Sequence, residues 1–408
     1  MTYLVVIAGL VGIVFIHELG HFGVALLVGM RPRSFYVGFP PALVKIKRRG
    51  IEYGIGAIPL GGFVRLPGMH RPAARDLQTL IAPAVEEQSS LAPAALRVRR
   101  ALAAEDYGAA RAAYLELEED VAAARLSASA RRAAERGLRD VEEGTAPDAY
   151  WRAPTWKRVA VIAAGPAANV LAAFLILLVV FNVSGVPGSS SPAEVAQVRP
   201  HTPAAVAGLE AGDLVVSLNG LHATFGNFSQ LIQSNHARPL KLVVARDGEL
   251  LTIDAPPPIK LDGQWILGVN VTPIPVDYAF GAATKAAAAN VWSMTSGTIG
   301  GLASLVRTHN GKGLSSGIGI AQDSAQALRV SVAWYFQILA LVSLSLALLN
   351  LIPILPLDGG HILFSLIESV RRRAVAREVY ERVSLVGLAM ILFVFFIALR
   401  NDTRHLLG

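Results

Sequence analysis

Four runs of apolar residues constrain this 408-residue chain more than any other feature. They extend from about Tyr3 to Gly29, Val159 to Val183, Val332 to Leu351 and Ser384 to Leu399. Each is close to the ~20 apolar residues that carry a helix across the ~30 Å hydrocarbon core of a bilayer. A segment in that core must satisfy its own backbone hydrogen bonds, which a helix does and an irregular chain does not. The expected fold class is therefore a polytopic α-helical membrane protein with four transmembrane helices. Composition agrees: 53% of residues are hydrophobic and only 16% charged, whereas about a quarter of a soluble protein is charged. The first run lacks the basic leader and small-residue cleavage site of a signal peptide, so it is read as a retained span. The absence of cysteine excludes disulfides, thiolate metal sites and a cysteine nucleophile.

Charge assigns the sides. Arg31, Arg33, Lys45, Lys47, Arg48 and Arg49 follow the first run, and Arg152, Lys157 and Arg158 precede the second. Arg371, Arg372, Arg373 and Arg377 lie between the third and fourth. By the positive-inside rule these loops are cytoplasmic, which places both termini and the segment from about 187 to 330 outside. The net charge of +7 is thus read as a topology signal and not as a nucleic-acid footprint, and membrane lipid is the expected surrounding.

The chain divides on this reading into 1–30 (first span), 31–70 (strands and turns at the membrane), 71–150, 151–186 (second span), 187–275, 276–330, 331–362 (third span) and 363–408 (cytoplasmic loop and fourth span). Residues 71–150 are rich in Ala, Arg and Glu and are read as a helical hairpin or loosely ordered insert with a solvated charged face. Residues 187–275 read as a small mixed α/β domain, with a hairpin from Leu240–Arg246 to Leu250–Asp254 across Asp247-Gly248. Residues 279–306 read as a weakly polar helix able to lie in the interface.

The chemistry lies in the first run. His17-Glu18-Leu19-Gly20-His21 places two imidazoles one helical turn apart on one face, a spacing that suits two ligands of a tetrahedral zinc. Glu18 can reach a metal-bound water as general base. Ionisable groups in an apolar helix cost ~2.5–3.5 kcal/mol at mid-bilayer on insertion scales, so function is the default explanation for them. His17 lies about 21 Å along the helix from Tyr3, in the cytoplasmic half of the membrane.

A third ligand is needed. Asn350-Leu-Ile-Pro-Ile-Leu-Pro-Leu-Asp-Gly-Gly-His361 ends the third run at a similar depth and offers Asp358 or His361. Pro353 and Pro356 break the helix, and Gly359 and Gly360 permit a sharp turn that aims Asp358 back towards the histidines. Both a carboxylate and a third histidine are known in catalytic zinc sites. Asn350, and Asn169 in Gly165-Pro-Ala-Ala-Asn169, could bind substrate backbone or an oxyanion, or bond between helices. Cleaving a helix requires unwinding it, and its freed backbone groups then need partners. The stretch from Ile58 to Val64, with Gly61 and Gly62, is either a re-entrant strand that supplies them or a membrane-hugging loop.

Taken together, His17-Glu-Leu-Gly-His21, Pro59-Leu-Gly-Gly-Phe63, Gly165-Pro-Ala-Ala-Asn169 and Asn350 to His361 resemble the bacterial site-2 protease family of the regulator-of-sigma-E protease type. The resemblance covers the chain except about 71–150. It implies Zn2+ held by His17, His21 and Asp358, with Glu18 as catalytic base and His361 not a ligand. It implies substrate-binding roles for Asn169 and Asn350, and a cytosolic-side re-entrant β-loop containing Gly61, Gly62 and Phe63. It implies that 198–220 opens an extracytoplasmic PDZ domain. It implies cleavage of single-pass transmembrane proteins in the bacterial cytoplasmic (inner) membrane, after trimming by a first protease, with anti-sigma factors and signal-peptide remnants as typical substrates. The chain departs from the family pattern in its long helical insert, in its single PDZ-like domain, and in Ser315-Ser-Gly-Ile-Gly-Ile-Ala321, where Ile318 replaces the usual Pro.

Two other classes compete. A membrane scaffold that binds peptide ends has no use for Glu18. A metal transporter needs ionisable groups along several spans, and the second and fourth runs offer almost none.

Overall fold

The computed structural model describes residues 1–184, 191–261, 264–274, 280–308, 317–375 and 377–407. The chain forms two compact units, one of residues 1–173 and 293–408 and the other of 174–292.

The first unit begins with helix α1 (Thr2–Leu27), followed by strands β1 (Ser34–Arg48) and β2 (Ile51–Arg65). The two strands bend so that they make more than a simple hairpin. Residues 34–37 pair with 52–55 on one side and with 62–65 on the other, while 44–48 pair with 51–55. Bulges allow the folding back, and Gly54 and Gly56 lie in the stretch where a Cβ would strike Tyr36 and the backbone of Gly38. The hairpin exposes Phe39, Leu43, Val44, Ile46, Ile55 and Ile58, an apolar surface that water does not favour.

Four helices follow: α2 (Ala74–Glu87), α3 (Ala92–Ala103), α4 (Tyr107–Ala123) and α5 (Ala128–Thr145). Of the two sequence readings, a helical hairpin or a loosely ordered insert, the structure departs from both in extent: the segment is helical and packs as a four-helix bundle. Its apolar residues recur every three or four positions: Leu77, Ile81 and Ala84; Ala94, Val98 and Leu102; Tyr114, Leu117 and Val121; Ala134, Leu138 and Val141. That period builds one stripe per helix, and α2 packs on α3 and α5 while α4 packs on the same two. Leu91, Leu117 and Val98 are fully buried, each contributing roughly 1.5–3 kcal/mol. Asp106 caps α4 by accepting the Ala109 N–H at 2.9 Å, and Ser127 caps α5 through the Ala130 N–H at 3.2 Å.

Helix α6 (Thr155–Ser184) is the second long apolar helix. Its first part belongs to this unit, and it begins four residues before the apolar run itself.

The second unit carries a six-stranded sheet. Its elements in chain order are β3 (Ala193–Val198), α7 (Pro203–Val206), β4 (Leu214–Leu218), β5 (Leu221–His222), α8 (Phe225–Asn235), β6 (Leu240–Arg246), β7 (Glu249–Ala255), β8 (Ile259–Leu261), β9 (Gln264–Ile266) and β10 (Val269–Pro273). The strand order is β10-β3-β4-β6-β7, with β5 alongside β4 and β8-β9 a separate pair. Strands β6 and β7 turn across Asp247 and Gly248, both at positive φ (54° and 86°), as a tight two-residue hairpin turn requires. Val195, Leu218, Phe228, Leu242, Val244 and Leu267 fill the core.

A buried carboxylate in this unit is ion-paired. The Asp213 side chain is fully buried, and Arg246 donates to it through Nε at 2.6 Å and Nη2 at 2.7 Å. Burial pushes the Asp213 carboxyl up, but Arg246 and the Glu210 N–H outweigh it and hold the group below the usual carboxylate range. A depressed folded-state pKa contributes stability above the unfolded value, and that contribution is lost as pH falls through the folded value. Asp213→Ala removes the buried partner and leaves Arg246 with only Glu210 and the Gly208 carbonyl, which destabilises the unit. The expected result is faster amide exchange across 193–273 in the full-length protein; unchanged exchange would show the pair to be dispensable.

Helix α9 (Phe280–Thr308) starts in the second unit and ends in the first, which closes with α10 (Gly317–Val330), α11 (Val332–Asn350), α12 (Asp358–Arg371) and α13 (Arg377–Leu407). Part of the segment read as loop before the third apolar run is thus helix α10, while Ser315 and Ser316 of the departing motif lie outside the described residues. Helix α12 begins at Asp358, inside the stretch assigned to the third span. Among the described residues, four helices are long and apolar enough to cross a membrane: Thr2–Leu27, Thr155–Val183, Val332–Asn350 and Arg377–Arg400. Leu4, Phe15 and Leu19 on α1 and Phe393 and Phe396 on α13 remain exposed, as lipid-facing residues do.

The bundle is tied to the start of α13. Arg377 bonds to Asp76 and Asp140 at 3.3 and 3.1 Å, and Arg75 to Glu378 at 2.7 Å. Further along, Gly387 lies against the carbonyl of Leu355, where no Cβ would fit.

Candidate active site

Helix α1 presents His17 and His21 on one buried face, 6% and 8% exposed. Asp358 reaches them from the first turn of α12. Pro353 and Pro356 end the preceding apolar helix, and two bends later the chain re-enters a helix at Asp358. Gly359 and Gly360 act differently from the sequence reading. Neither has a positive φ; a Cβ on either would strike the Leu351, Ile352 or Ile354–Leu355 backbone, so they permit close approach, not a sharp turn.

His17 Nε2 and His21 Nε2 are 3.2 Å apart, and Asp358 Oδ2 lies 3.2 Å from the first and 3.5 Å from the second. The three are the one His/Asp/Glu group with metal-ligand geometry among the described residues. Ligands at ~2.0–2.2 Å from a tetrahedral zinc sit about 3.3–3.5 Å from one another. The donor set, its spacing and its edges all fit that ion. Asp358 Oδ2 is buried with no hydrogen-bond partner, the state of an oxygen whose natural partner is a cation at the centre of the triangle. His361 lines the cavity over the triangle but is not part of the triangle; its ring lies over Tyr380 with centroids 6.4 Å apart.

The outer nitrogens of the histidines are also held. His21 Nδ1–H donates to the Val161 carbonyl at 2.8 Å, which leaves the Nε2 lone pair facing the triangle. This carbonyl belongs to the turn of α6 that Pro166 follows, and sequence reasoning did not single it out. His17 Nδ1 lies 3.3 Å from the carboxamide nitrogen of Asn169, whose Oδ1 is left without a partner although the residue is fully buried. Carboxamide oxygen and nitrogen are distinguished only by their bonding. Exchanging them lets Oδ1 accept the His17 Nδ1–H, removes the orphan and gives both rings the tautomer that a metal ligand needs. Asn169 is fixed in turn by Ser343, whose hydroxyl donates to its backbone carbonyl at 2.9 Å.

Two glycines allow the helices to come this close. A Cβ on Gly165 of α6 would overlap the His21 ring, and one on Gly20 of α1 would overlap the Ala164 carbonyl. Small residues at a helix crossing let backbones meet inside a membrane. Gly165 was legible as part of a motif; its packing role was not.

A cavity of about 620 Å³ opens over the triangle. Glu18, Asn350, Gly61, Gly62, Phe63 and Val64 line it, and Asn169 does not. Asn350 Nδ2 is 3.3 Å from His17 Nε2. The Glu18 carboxylate lies beside the Val64 N–H, and Gly62 passes so close that a Cβ there would sit 2.8 Å from Glu18 Cγ. Phe63 stacks on Tyr36 with centroids 5.0 Å apart, which fixes that strand on its partner. Residues 62–65 pair with 34–37 on one edge, and their other edge has no partner strand among the described residues.

The family model described as Peptidase family M50 matches residues 5–394. The chain is 28% identical to the regulator of sigma-W protease RasP of Bacillus subtilis, over 97% of this chain and 96% of that protein. It is 27% identical to the zinc metalloprotease RasP of Bacillus licheniformis, over 97% and 96%, and 25% identical to the protein of that name in Geobacillus kaustophilus, over 99% and 97%.

Proposed function

The chain belongs to peptidase family M50, and from that premise we propose that it is a zinc-dependent intramembrane protease whose metal is held by His17, His21 and Asp358. The observation that carries this reading is the triangle of two imidazole nitrogens and one orphaned carboxylate oxygen at the spacing of a tetrahedral zinc. Bound zinc would supply a Lewis acid that polarises the scissile carbonyl and acidifies the attacking water.

The remaining work falls to the protein's own groups. Glu18 takes the proton from the water and delivers it to the leaving amine. The Asn350 amide, beside His17 and open to the cavity, donates to the oxygen on which charge develops. The unpaired edge of residues 61–65 receives the substrate as an added strand, supplying the backbone partners that an unwound helix loses in hydrocarbon. Gly61, Gly62 and Phe63 thereby bind substrate. The exposed apolar side chains of the β1–β2 hairpin support its entry into the membrane from the cytosolic side. Asn169 acts one step back, holding the His17 ring; its complete burial supports that role over direct contact with substrate.

The substrates are single-pass membrane proteins, of the anti-sigma-factor or signal-peptide-remnant kind, cut after prior trimming. The name of the Bacillus subtilis relative, a regulator of sigma-W protease, supports the first kind. The basic flanks of the apolar helices support a bacterial inner-membrane orientation with both termini outside. Residues 187–275, read as a PDZ domain, then stand outside as a filter against untrimmed substrates.

The test is metal removal. Chelation of purified protein in vesicles is expected to abolish cleavage of a co-reconstituted single-pass substrate, and stoichiometric zinc to restore it. Full cleavage by demonstrably zinc-free protein would end the proposal. Asn169→Ala is expected to weaken zinc binding by about 10–100-fold, as loss of a group that orients a ligand does, while Asn169→Asp, which keeps the acceptor, retains most of it. Zinc titration of the apo protein distinguishes this from a substrate-contact role, which would raise KM and leave zinc affinity unchanged.

A further inference from the structure

A second cavity, of about 100 Å³, lies where the segment Met69–Arg71, the start of α6 and the turn after α12 meet. It belongs to neither the triangle nor the substrate cleft. Its walls carry four guanidinium groups, from Arg71, Arg158, Arg372 and Arg373, and one carboxylate, Glu368.

That carboxylate is already committed. Glu368 Oε2 accepts from Arg158 Nη1 at 2.6 Å, and its Oε1 accepts the Val375 N–H at 2.9 Å. Arg71 is held over the Trp151 ring, 4.8 Å from its centroid, and lies 3.7 Å from the exposed Glu105. Among the described residues Arg372 and Arg373 have no ion-pair or hydrogen-bond partner. Arg158 is 7% exposed, and its Nε has none. Positive charge is therefore in excess at a concave place where Arg158 is buried and Arg71, Arg372 and Arg373 are exposed.

The geometry points to a bound phosphate group. Guanidinium forks match phosphate oxygens two at a time, and several forks around a small cavity select a compact, multiply accepting anion over a lone carboxylate. The cavity also lies beside the polar start of an apolar helix, where Trp156 is exposed with Lys157 over its ring. Tryptophan and basic residues mark the headgroup level, and basic pockets between membrane helices receive anionic headgroups. We propose that this cavity binds a phosphate group, carried by an anionic phospholipid or present as soluble phosphate. A phosphate seated there bridges the stem of the helical bundle, the start of α6 and the end of α12, whose opposite end carries Asp358.

Native mass spectrometry of the full-length protein, loaded with either phosphatidylglycerol or phosphatidylcholine, tests this. Wild type is expected to retain phosphatidylglycerol through delipidation, and Arg372→Ala/Arg373→Ala at least about tenfold less, the equivalent of one lost charge-assisted hydrogen bond. Arg371→Ala removes a neighbouring charge outside the cavity and is expected to behave as wild type. If the double variant does not fold, Arg373→Ala alone is read in the same way. A thermal midpoint raised by millimolar inorganic phosphate in wild type but not in the variant, without lipid selectivity, assigns the site to soluble phosphate. Two results overturn the proposal: equal lipid retention and equal phosphate response in wild type and variant, or an Arg371→Ala loss as large as the double variant's.

Discussion

Glu18→Gln is expected to reduce cleavage of a co-expressed single-pass substrate by about 10²–10⁴-fold, the range that a positioned general base contributes. The replacement keeps the shape of the side chain and removes its ability to carry a proton. Nothing in the triangle depends on it: the two imidazoles are oriented by Val161 and Asn169, and the third vertex is Asp358. The variant should therefore bind zinc stoichiometrically and melt near the wild-type temperature. This split between metal content and activity is the informative result. Loss of zinc along with activity would make Glu18 part of the binding site, and cleavage within tenfold of wild type would remove it from the mechanism.

Gly165→Val should be as damaging by a different route. The residue has no functional group and does not face the substrate cavity. A Cβ at that position falls on the His21 ring, which is pinned on its other side by the Val161 carbonyl. Either α6 moves away from α1, breaking the Val161 and Asn169 bonds, or the ring rotates out of the triangle. Both outcomes misplace a ligand, and a displacement of about 1 Å in a reacting geometry already costs ~10²-fold. The expected result is near-complete loss of zinc and cleavage with the protein still inserted in the membrane. Gly165→Ala should show the same loss in milder form. Wild-type zinc content in Gly165→Val would mean that the helix crossing is looser than its geometry indicates.

Much of this site is written locally. A five-residue motif fixes its own helical spacing, so His17 and His21 fall on one face with no tertiary information. The choice between Asp358 and His361 was not local, since both end the same apolar run. It depends on how the chain folds after Pro356, and there the structure brings Asp358 to the histidines and leaves His361 against Tyr380. The roles of Val161 and Gly165 were illegible because a backbone carbonyl and a hydrogen atom leave no signature in a sequence. The helical composition of 74–145 was legible, but its packing as a bundle was not, for another reason. Its stripes include Ala84, Ala94, Ala110 and Ala134, and alanine, the strongest helix former, reads as neutral filler until its period is set beside that of Leu and Val.

The seam between Gly20 and Gly165 has a consequence at the level of the genetic code. Every single-base change in a glycine codon that alters the amino acid introduces a residue with a Cβ. At most positions some of those neighbours are tolerated and a lineage can drift through them. Here all of them collide with a carbonyl or with the His21 ring, so every one-step path away from either codon is expected to carry a cost, smallest for alanine. The two residues least able to do chemistry are expected to be among the least free to change, and a saturation screen would find them as intolerant as the histidines they pack against.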